Sequence, residues 1–321
     1  MTSREFHPGK PWLDTDGRLI EAHGGGILYH EGIYYWYGEN KDAENSEAHK
    51  QSGIDRVDVI GVSCYSSKDL YHWNNEGTVL HANEEPGHDL HPSHVLERPK
   101  VLYNAWTKQF VMWMHVDHGD YQFARVGLAV SERPTGPFRY VRSFRPGGYD
   151  SRDMTVYQDD DGTAYLICST NMNSKVVTFP LTGDYLDVQN ASAEHFVMPN
   201  EHMSRESPAV FKYHQTYYMV TSGCTGWDAN PAEYAVAPSV MGPWTVVGNP
   251  CIGEHADRTY YSQSTFVIPV AGKEHAFIFM ADRWNRYHLR ESAYVWLPVE
   301  FSQNGAITIQ WRDVWDLSIF E

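Results

Sequence analysis

Five segments of the chain repeat one plan, in which a polar residue opens an apolar strand, a turn follows, and a strand rich in aromatics returns. They are residues 22–29 with 33–37, 96–103 with 109–113, 152–157 with 164–167, 205–211 with 217–220, and 262–267 with 276–279. Measured on the aromatic of each second strand, Tyr35, Phe110, Tyr165, Tyr218 and Phe277, the steps are 75, 55, 53 and 59 residues. A third strand recurs at 62–66, 127–131 and 234–237, each leading through a turn to an aromatic at Trp73, Phe138 or Trp244. A unit of about four strands repeated radially, each sheet burying the face of the next, makes a β-propeller. The expected fold is therefore all-β, a five-bladed β-propeller that takes in residues 1–321 as one domain. A long β-sandwich, the rival arrangement, gives no reason for a polar residue to open every first strand in step. No segment sustains the 3.6-residue period of a long helix. The strand at 307–311 alternates in period two and is expected to pair with the amino-terminal segment, closing the ring.

Charge narrows the partners. Against 25 basic side chains stand 41 acidic ones, a formal net charge of −16. Such a field repels phosphate backbones and anionic lipid. No basic run interleaved with aromatics offsets it, so no nucleic-acid partner is expected. No apolar stretch reaches the roughly 18 residues of a membrane span, so no membrane partner is expected. The residues from Met1 to Phe6 lead into turn residues without the apolar run of a secretory signal, which points to a cytoplasmic protein. Cys64, Cys168, Cys224 and Cys251 lack CxxC spacing and are expected as reduced thiols. What remains is a neutral partner, and the 21 Tyr and 11 Trp supply the flat faces on which a carbohydrate packs.

Counting back 12 to 14 positions from each aromatic anchor gives His23, Glu97, Asp153, Glu206 and Gln263, spaced by 74, 56, 53 and 57 residues. In a propeller the first strand of each blade lines the axis, so these equivalent positions gather at one mouth of the channel. Three carboxylates crowded in a partly dry pocket cannot all stay ionised, and one of them then holds a proton near neutrality. Such a proton is what a general acid needs to cleave a glycosidic bond, with a second group across the sugar to handle water. The alternative is that Glu97–Arg98 and Arg205–Glu206 are ion pairs that merely tie blades together.

At these positions the chain resembles glycoside hydrolase family 43, and within it the exo-β-1,3-galactanase branch. The resemblance rests on residues 22–26, 35–41, 97–101, 150–153, 158–165, 258–264 and 281–284, and runs over nearly the whole chain. It implies an inverting, exo-acting hydrolase that releases terminal galactose from β-1,3-galactan or its oligosaccharides. Glu206 resembles the family's general acid and Asp153 the carboxylate that raises and orients it. The base Asp that the family usually carries in the first blade is replaced here by His23-Gly24. The galactanase branch shares that departure, and Gln263 resembles its glutamine that positions the attacking water, through an imidic-acid tautomer. Glu97 is the competing choice of base. The resemblance otherwise implies that Glu97 and Glu39 bond the terminal sugar and that Tyr121, Trp227 and Trp284 pack on it, with core packing the other role for Trp284. Inversion calls for an acid-to-base separation of about 6.5 to 9.5 Å.

Two metal-like signals are read differently. Asp159-Asp160-Asp161-Gly162 is expected as a turn between strands rather than a calcium loop. His88, His91, His94, His115 and His118 fall in loops at the channel mouth, where His115 is expected to touch substrate rather than zinc. No cofactor is required by this chemistry, although the axis leaves room for a calcium or sodium ion. Other family 43 specificities, an α-L-arabinofuranosidase or a β-galactofuranosidase, share the same acid. A catalytically inactive sugar-binding propeller is the remaining alternative, prompted by the missing first-blade Asp.

Overall fold

A strand covered on both faces needs apolar side chains at nearly every position, whereas one at a rim can be polar throughout. That contrast divides the strands of this chain into inner and outer ones. The computed structural model describes residues 4–46, 55–199 and 203–321. Met1, Thr2 and Ser3, on which the reading of the amino terminus partly rests, lie outside the described residues.

The first sheet runs β1 (His23–His30), β2 (Ile33–Glu39), β3 (Gly61–Ser67) and β4 (Asn74–His81). The second comprises β5 (Val95–Asn104), β6 (Gln109–Asp117), β7 (Arg125–Ser131) and β8 (Arg139–Phe144). The third comprises β9 (Met154–Gln158), β10 (Ala164–Thr170), β11 (Lys175–Pro180) and β12 (Ala193–His195). The fourth comprises β13 (Glu206–Tyr213), β14 (Thr216–Ser222), β15 (Glu233–Ala237) and β16 (Thr245–Gly248). In the fifth, β17 (Cys251–Ile252) lies at the outer edge, while β18 (Gln263–Pro269), β19 (Phe277–Arg283), β20 (Ala293–Phe301) and β21 (Ile307–Gln310) run outward from the axis. β6 is buried at every position after Gln109, whereas β8 has no buried residue at all.

β1, β5, β9, β13 and β18 are the inner strands; each touches the next and β18 touches β1, so the five blades close a ring. Between blades lie apolar clusters, and the one joining blades 5 and 1 is the most aromatic, with Phe6, Trp36, Trp73, Trp296 and Trp315 buried together. Truncating a buried tryptophan such as Trp296 to alanine costs about 3–5 kcal/mol.

The ring does not close as the alternating strand at 307–311 led us to expect. β21 ends at Gln310 and pairs with β20 and, in parallel, with β17, all within blade 5. The amino-terminal segment meets the carboxyl-terminal one farther on, where Phe6 and Trp315 exchange backbone hydrogen bonds of 2.7 and 3.2 Å. The reason is that β20 already offers β21 a free edge next door, whereas the amino-terminal segment finds its apolar partners in the aromatic cluster. Among the described residues no helix is long and apolar enough to cross a membrane.

Candidate active site

Four of the five inner strands share a local irregularity at the end where their polar residues sit. Pairing slips between His23 and Gly26, Glu97 and Lys100, Glu206 and Ala209, and Ser264 and Phe266. In three blades the next residue takes a left-handed conformation, with φ of 57° at Gly24, 56° at Arg98 and 55° at Ser207. A bulge of this kind breaks strand alternation and lets two consecutive side chains serve the axis. Glu97 and Arg98 both line the cavity, and Ser207 beside Glu206 reaches Arg98 and Asp153 across it. Glycine is needed at position 24 on two counts: its φ, and a Cβ there would come within 2.2 Å of Glu39 Oε1.

The cavity at this mouth holds about 430 Å³ and is lined by Glu39, Glu97, Arg98, Tyr121, Asp153, Glu206, Trp227, Gln263, Trp284 and Arg286 among others. A larger cavity of about 740 Å³ lies toward the other ends of the inner strands, among Ile27, Val101, Val156, Val210 and Phe211. Size does not decide between them; the convergent carboxyl groups are in the smaller one.

Arg98 is the hub. Its Nη2 lies 3.0 Å from Asp153 Oδ2 and donates to Ser207 Oγ at 2.8 Å and to Gln263 Oε1 at 2.5 Å, while Nη1 donates to Ser264 O at 2.9 Å. Its backbone N–H donates to Glu39 Oε1 at 2.9 Å. Ser207 Oγ donates to Asp153 Oδ2 as well. The guanidinium thus ties blade 2 to blades 3, 4 and 5, and the backbone N–H of the same residue ties it to blade 1.

The four acidic groups are not equivalent. Glu206 is pushed up to about 8, by burial first and then by the charge of Asp153, with Arg98 opposing. Its Oε1 accepts from Gln263 Nε2 at 2.9 Å and its Oε2 from Asn173 Nδ2 at 3.0 Å. Burial alone would raise Glu97 too, but the bond and charge of His115 hold it down at about 2. Tyr121 OH adds a bond of 2.6 Å to Glu97 Oε1. Glu39 is raised by burial, which the ammonium of Lys41 at 2.8 Å partly offsets. An acid that holds its proton at neutrality therefore sits across the cavity wall from a carboxylate that does not, the pairing of protonation states that glycoside cleavage uses.

Of the residues expected here, Glu206, Asp153, Gln263, Glu97, Glu39, Tyr121, Trp227 and Trp284 all line the cavity. Trp284 faces Trp227 with ring centroids 5.2 Å apart and donates its Nε1 to Gln263 Oε1 at 3.2 Å, so core packing is not its role. His115 does not line the cavity. Only 1% exposed, it bridges Glu97 Oε2 at 3.1 Å and Asp117 Oδ2 at 3.0 Å. Its place on β6, one strand out from the axis, puts it behind Glu97; it positions that carboxylate and cannot touch a sugar. Burial lowers its basicity, yet the bonds to Asp117 and Glu97 carry it up to about 9.

His23 also stands behind the cavity, bonded to Asp282 Oδ1 at 3.1 Å and stacked on Tyr294, so four of the five register-matched residues converge rather than five. The ion pairs weighed as the alternative, between chain neighbours, are not among those formed by the described residues. Arg98 pairs with Asp153 instead of Glu97, and Arg205 lies 3.7 Å from Glu233 instead of bonding Glu206. The gap expected between acid and water-handling group is absent between Glu206 and Gln263, which touch directly. The reason is the hold on Gln263 Oε1 by Arg98 and Trp284, which turns Nε2 toward the acid.

Asp159–Gly162 forms a turn, Gly162 N–H donating to Asp159 O at 2.9 Å, and Lys212 Nζ caps the carboxylates of Asp159 and Asp160. Among the described residues no three His, Cys, Asp or Glu side chains are grouped to hold a metal. On the axis, Lys100 Nζ donates to Gly24 O at 2.8 Å and lies 3.4 Å from Arg98 O and 3.5 Å from Thr265 Oγ1. All four cysteines are free thiols. The sequence reading missed Arg98 as hub, Ser207, Asn173 and Arg286; only the adjacency of Arg98 and Ser207 to register-matched residues marked them beforehand.

Over residues 26–306 the sequence matches glycosyl hydrolases family 43. A family 43 β-1,3-galactosidase solved with galactodeoxynojirimycin is 40% identical, covers 97% of this chain and 100% of its own, and superposes with a TM-score of 0.88. An exo-β-1,3-galactanase from Phanerochaete chrysosporium, solved with β-1,3-galactotriose, is 34% identical over 98% of this chain and 68% of its own, with a TM-score of 0.86. An exo-β-1,3-galactanase from Clostridium thermocellum is 38% identical over 97% of this chain and 66% of its own, with a TM-score of 0.84. None of the curated proteins matches it. With a family match that runs from the first blade to the last, and structural relatives at this identity over nearly its full length, the chain belongs to glycosyl hydrolases family 43.

Proposed function

We propose that the protein is an exo-acting, inverting hydrolase that releases terminal galactose from β-1,3-galactan and its oligosaccharides. The observation that carries this reading is Glu206, a half-buried carboxyl that desolvation and the charge of Asp153 push up to about 8, in a cavity that also contains the ionised Glu97. A sugar-binding propeller without activity has no use for such an acid. The choice of galactose rests on the relatives, whose names state β-1,3-galactosidase and exo-β-1,3-galactanase.

Exo action is favoured by a wall at the seam of blades 5 and 1. Arg286, which lines the cavity, pairs with Asp55 at 3.0 Å, and Asn45 donates to Arg286 O at 2.8 Å while accepting from Leu289 N–H. Such a wall favours entry of a polysaccharide by its end over binding along its length.

In this reading Glu206 protonates the leaving oxygen, and Asp153, anchored on Arg98 and Ser207, keeps the acid's proton on by its charge. Glu97, Glu39 and Tyr121 bond the terminal sugar, and Trp227 and Trp284 pack on its apolar face. Gln263 orients the attacking water once the sugar parts it from Glu206, and the proton this water loses passes to the ionised carboxylate of Glu97. Its Oε1 already carries the donors of Arg98 and Trp284, which favours the amide over an imidic form bearing a third proton there. No cofactor enters these steps. The test is a substrate panel: β-1,3-galactobiose cleaved at least about tenfold faster than aryl α-L-arabinofuranosides and β-galactofuranosides supports the reading. The reverse order would move the protein to another family 43 specificity.

A further inference from the structure

The hairpin between β10 and β11 is built at a conformational cost and delivers one side chain to the acid. Asn171, Met172 and Asn173 all have left-handed backbones, with φ of 51°, 53° and 60°. Three such residues in a row, none of them glycine, persist only where the surroundings over-determine them. Asp150 does so: its Oδ1 accepts from Asn171 N–H at 2.5 Å and Thr170 Oγ at 2.8 Å, and its Oδ2 from Met172 N–H at 3.3 Å and from Arg152. Asn173 O accepts from Ser204 N–H at 2.7 Å, two residues before Glu206. The product of this construction is the bond from Asn173 Nδ2 to Glu206 Oε2 at 3.0 Å.

Asn173 Oδ1, at the other end of the same carboxamide, is buried without a partner among the described residues. A buried acceptor left open needs a reason, because it gives up its bond to water. Glu206 supplies one. Both of its oxygens accept N–H bonds, which suits the carboxylate left after proton transfer. The resting acid carries a proton and needs an acceptor instead. A half-turn of the Asn173 carboxamide exchanges its nitrogen and oxygen and provides that acceptor at the same place.

We propose that Asn173 positions Glu206 in both of its protonation states, donating through Nδ2 to the carboxylate and accepting through Oδ1 from the protonated acid. This inference rests on Glu206 as the acid. Asn173 is a positioning residue: its effect reaches the substrate only through Glu206.

The test titrates Glu206 directly, by carbon NMR of protein labelled at glutamate carboxyls, with Glu206→Gln identifying the signal. A bond to the charged form is worth more than one to the neutral form, so Asn173→Ala should raise the titration midpoint by about half a unit. Asn173→Asp sets a like charge beside the acid and should raise it by more than about one unit. With β-1,3-galactobiose as substrate, kcat of Asn173→Ala should fall about tenfold with KM within about twofold. Asp150→Asn, which loosens the hairpin without touching the acid, should repeat the kcat loss in milder form. An unchanged or lowered midpoint in Asn173→Ala, or a loss carried by KM alone, would overturn the proposal. If instead Glu206→Gln cleaves galactobiose as fast as wild type, it is the assignment of the acid that fails, while the titration still reports on Asn173.

Discussion

Gln263 Nε2 stands 2.9 Å from Glu206 Oε1, a direct bond between the group assigned to water and the group assigned to the leaving oxygen. This bond joins the two halves of the proposed reaction, so in that reading substrate has to part them. Gln263 then keeps Arg98 and Trp284 as its anchors. Replacing Gln263 by Ala should lower kcat on β-1,3-galactobiose by about 10²-fold or more. Azide, which fills the place of water, should restore part of the rate and yield a galactosyl azide of inverted configuration. Chromatography of the products checks this, and an azide of retained configuration would count against inversion.

The acid sets the alkaline limit. In the proposed mechanism Glu206 acts protonated, and burial with the charge of Asp153 holds its proton to about 8. kcat/KM should therefore be flat below that point and fall as pH rises through it. A profile on galactobiose from pH 5 to 10 decides the matter, and a limb near pH 5 would mean that the group is ionised at neutrality.

Removing the hub leaves carboxylates without their cation. Arg98→Met should cost about 3–5 kcal/mol of folding stability, because Asp153 would stay buried and uncompensated. Denaturant unfolding measures it. Arg98→Met, Asp153→Asn should recover part of the loss, since the stranded charge is gone.

His115 makes stability depend on pH. Its basicity is raised to about 9 in the folded protein against an ordinary value near 6.5. The stabilisation this gives is complete below about 6.5 and lost as pH rises through about 9. Thermal unfolding of wild type and His115→Gln should accordingly differ most at pH 6 and converge toward pH 10. The same variant should raise KM, because Glu97 loses the partner that holds it.

The fold and most of the cavity could be read from spacing alone. Glu97, Glu206 and Gln263 each stand at or near the first residue of an inner strand, and Asp153 just before one, so a period on the aromatics was enough to bring them together. His23 obeys the same period and still fails to reach the cavity. Its side chain bonds Asp282 on the neighbouring strand β19, a choice made by packing between blades that no period encodes. Arg98 was hidden for a related reason. In a regular strand it would point away from Glu97, and only the bulge after Glu97 turns it to the axis. His115 has a sequence position next to the mouth, but alternation along β6 and the presence of Asp117 two residues on make it a buried bridge. Ring closure was misjudged because β21 reads equally well for any free edge, and the nearer one lies in its own blade.

Glu206 carries the proposed reaction. Galactose release from β-1,3-galactobiose, measured for wild type and Glu206→Gln at pH 6, tests it most directly, with circular dichroism to confirm that both are folded. Steady release of galactose by wild type and a fall of about 10²–10⁴-fold in the variant is the predicted result. Turnover by Glu206→Gln at the wild-type rate would contradict it.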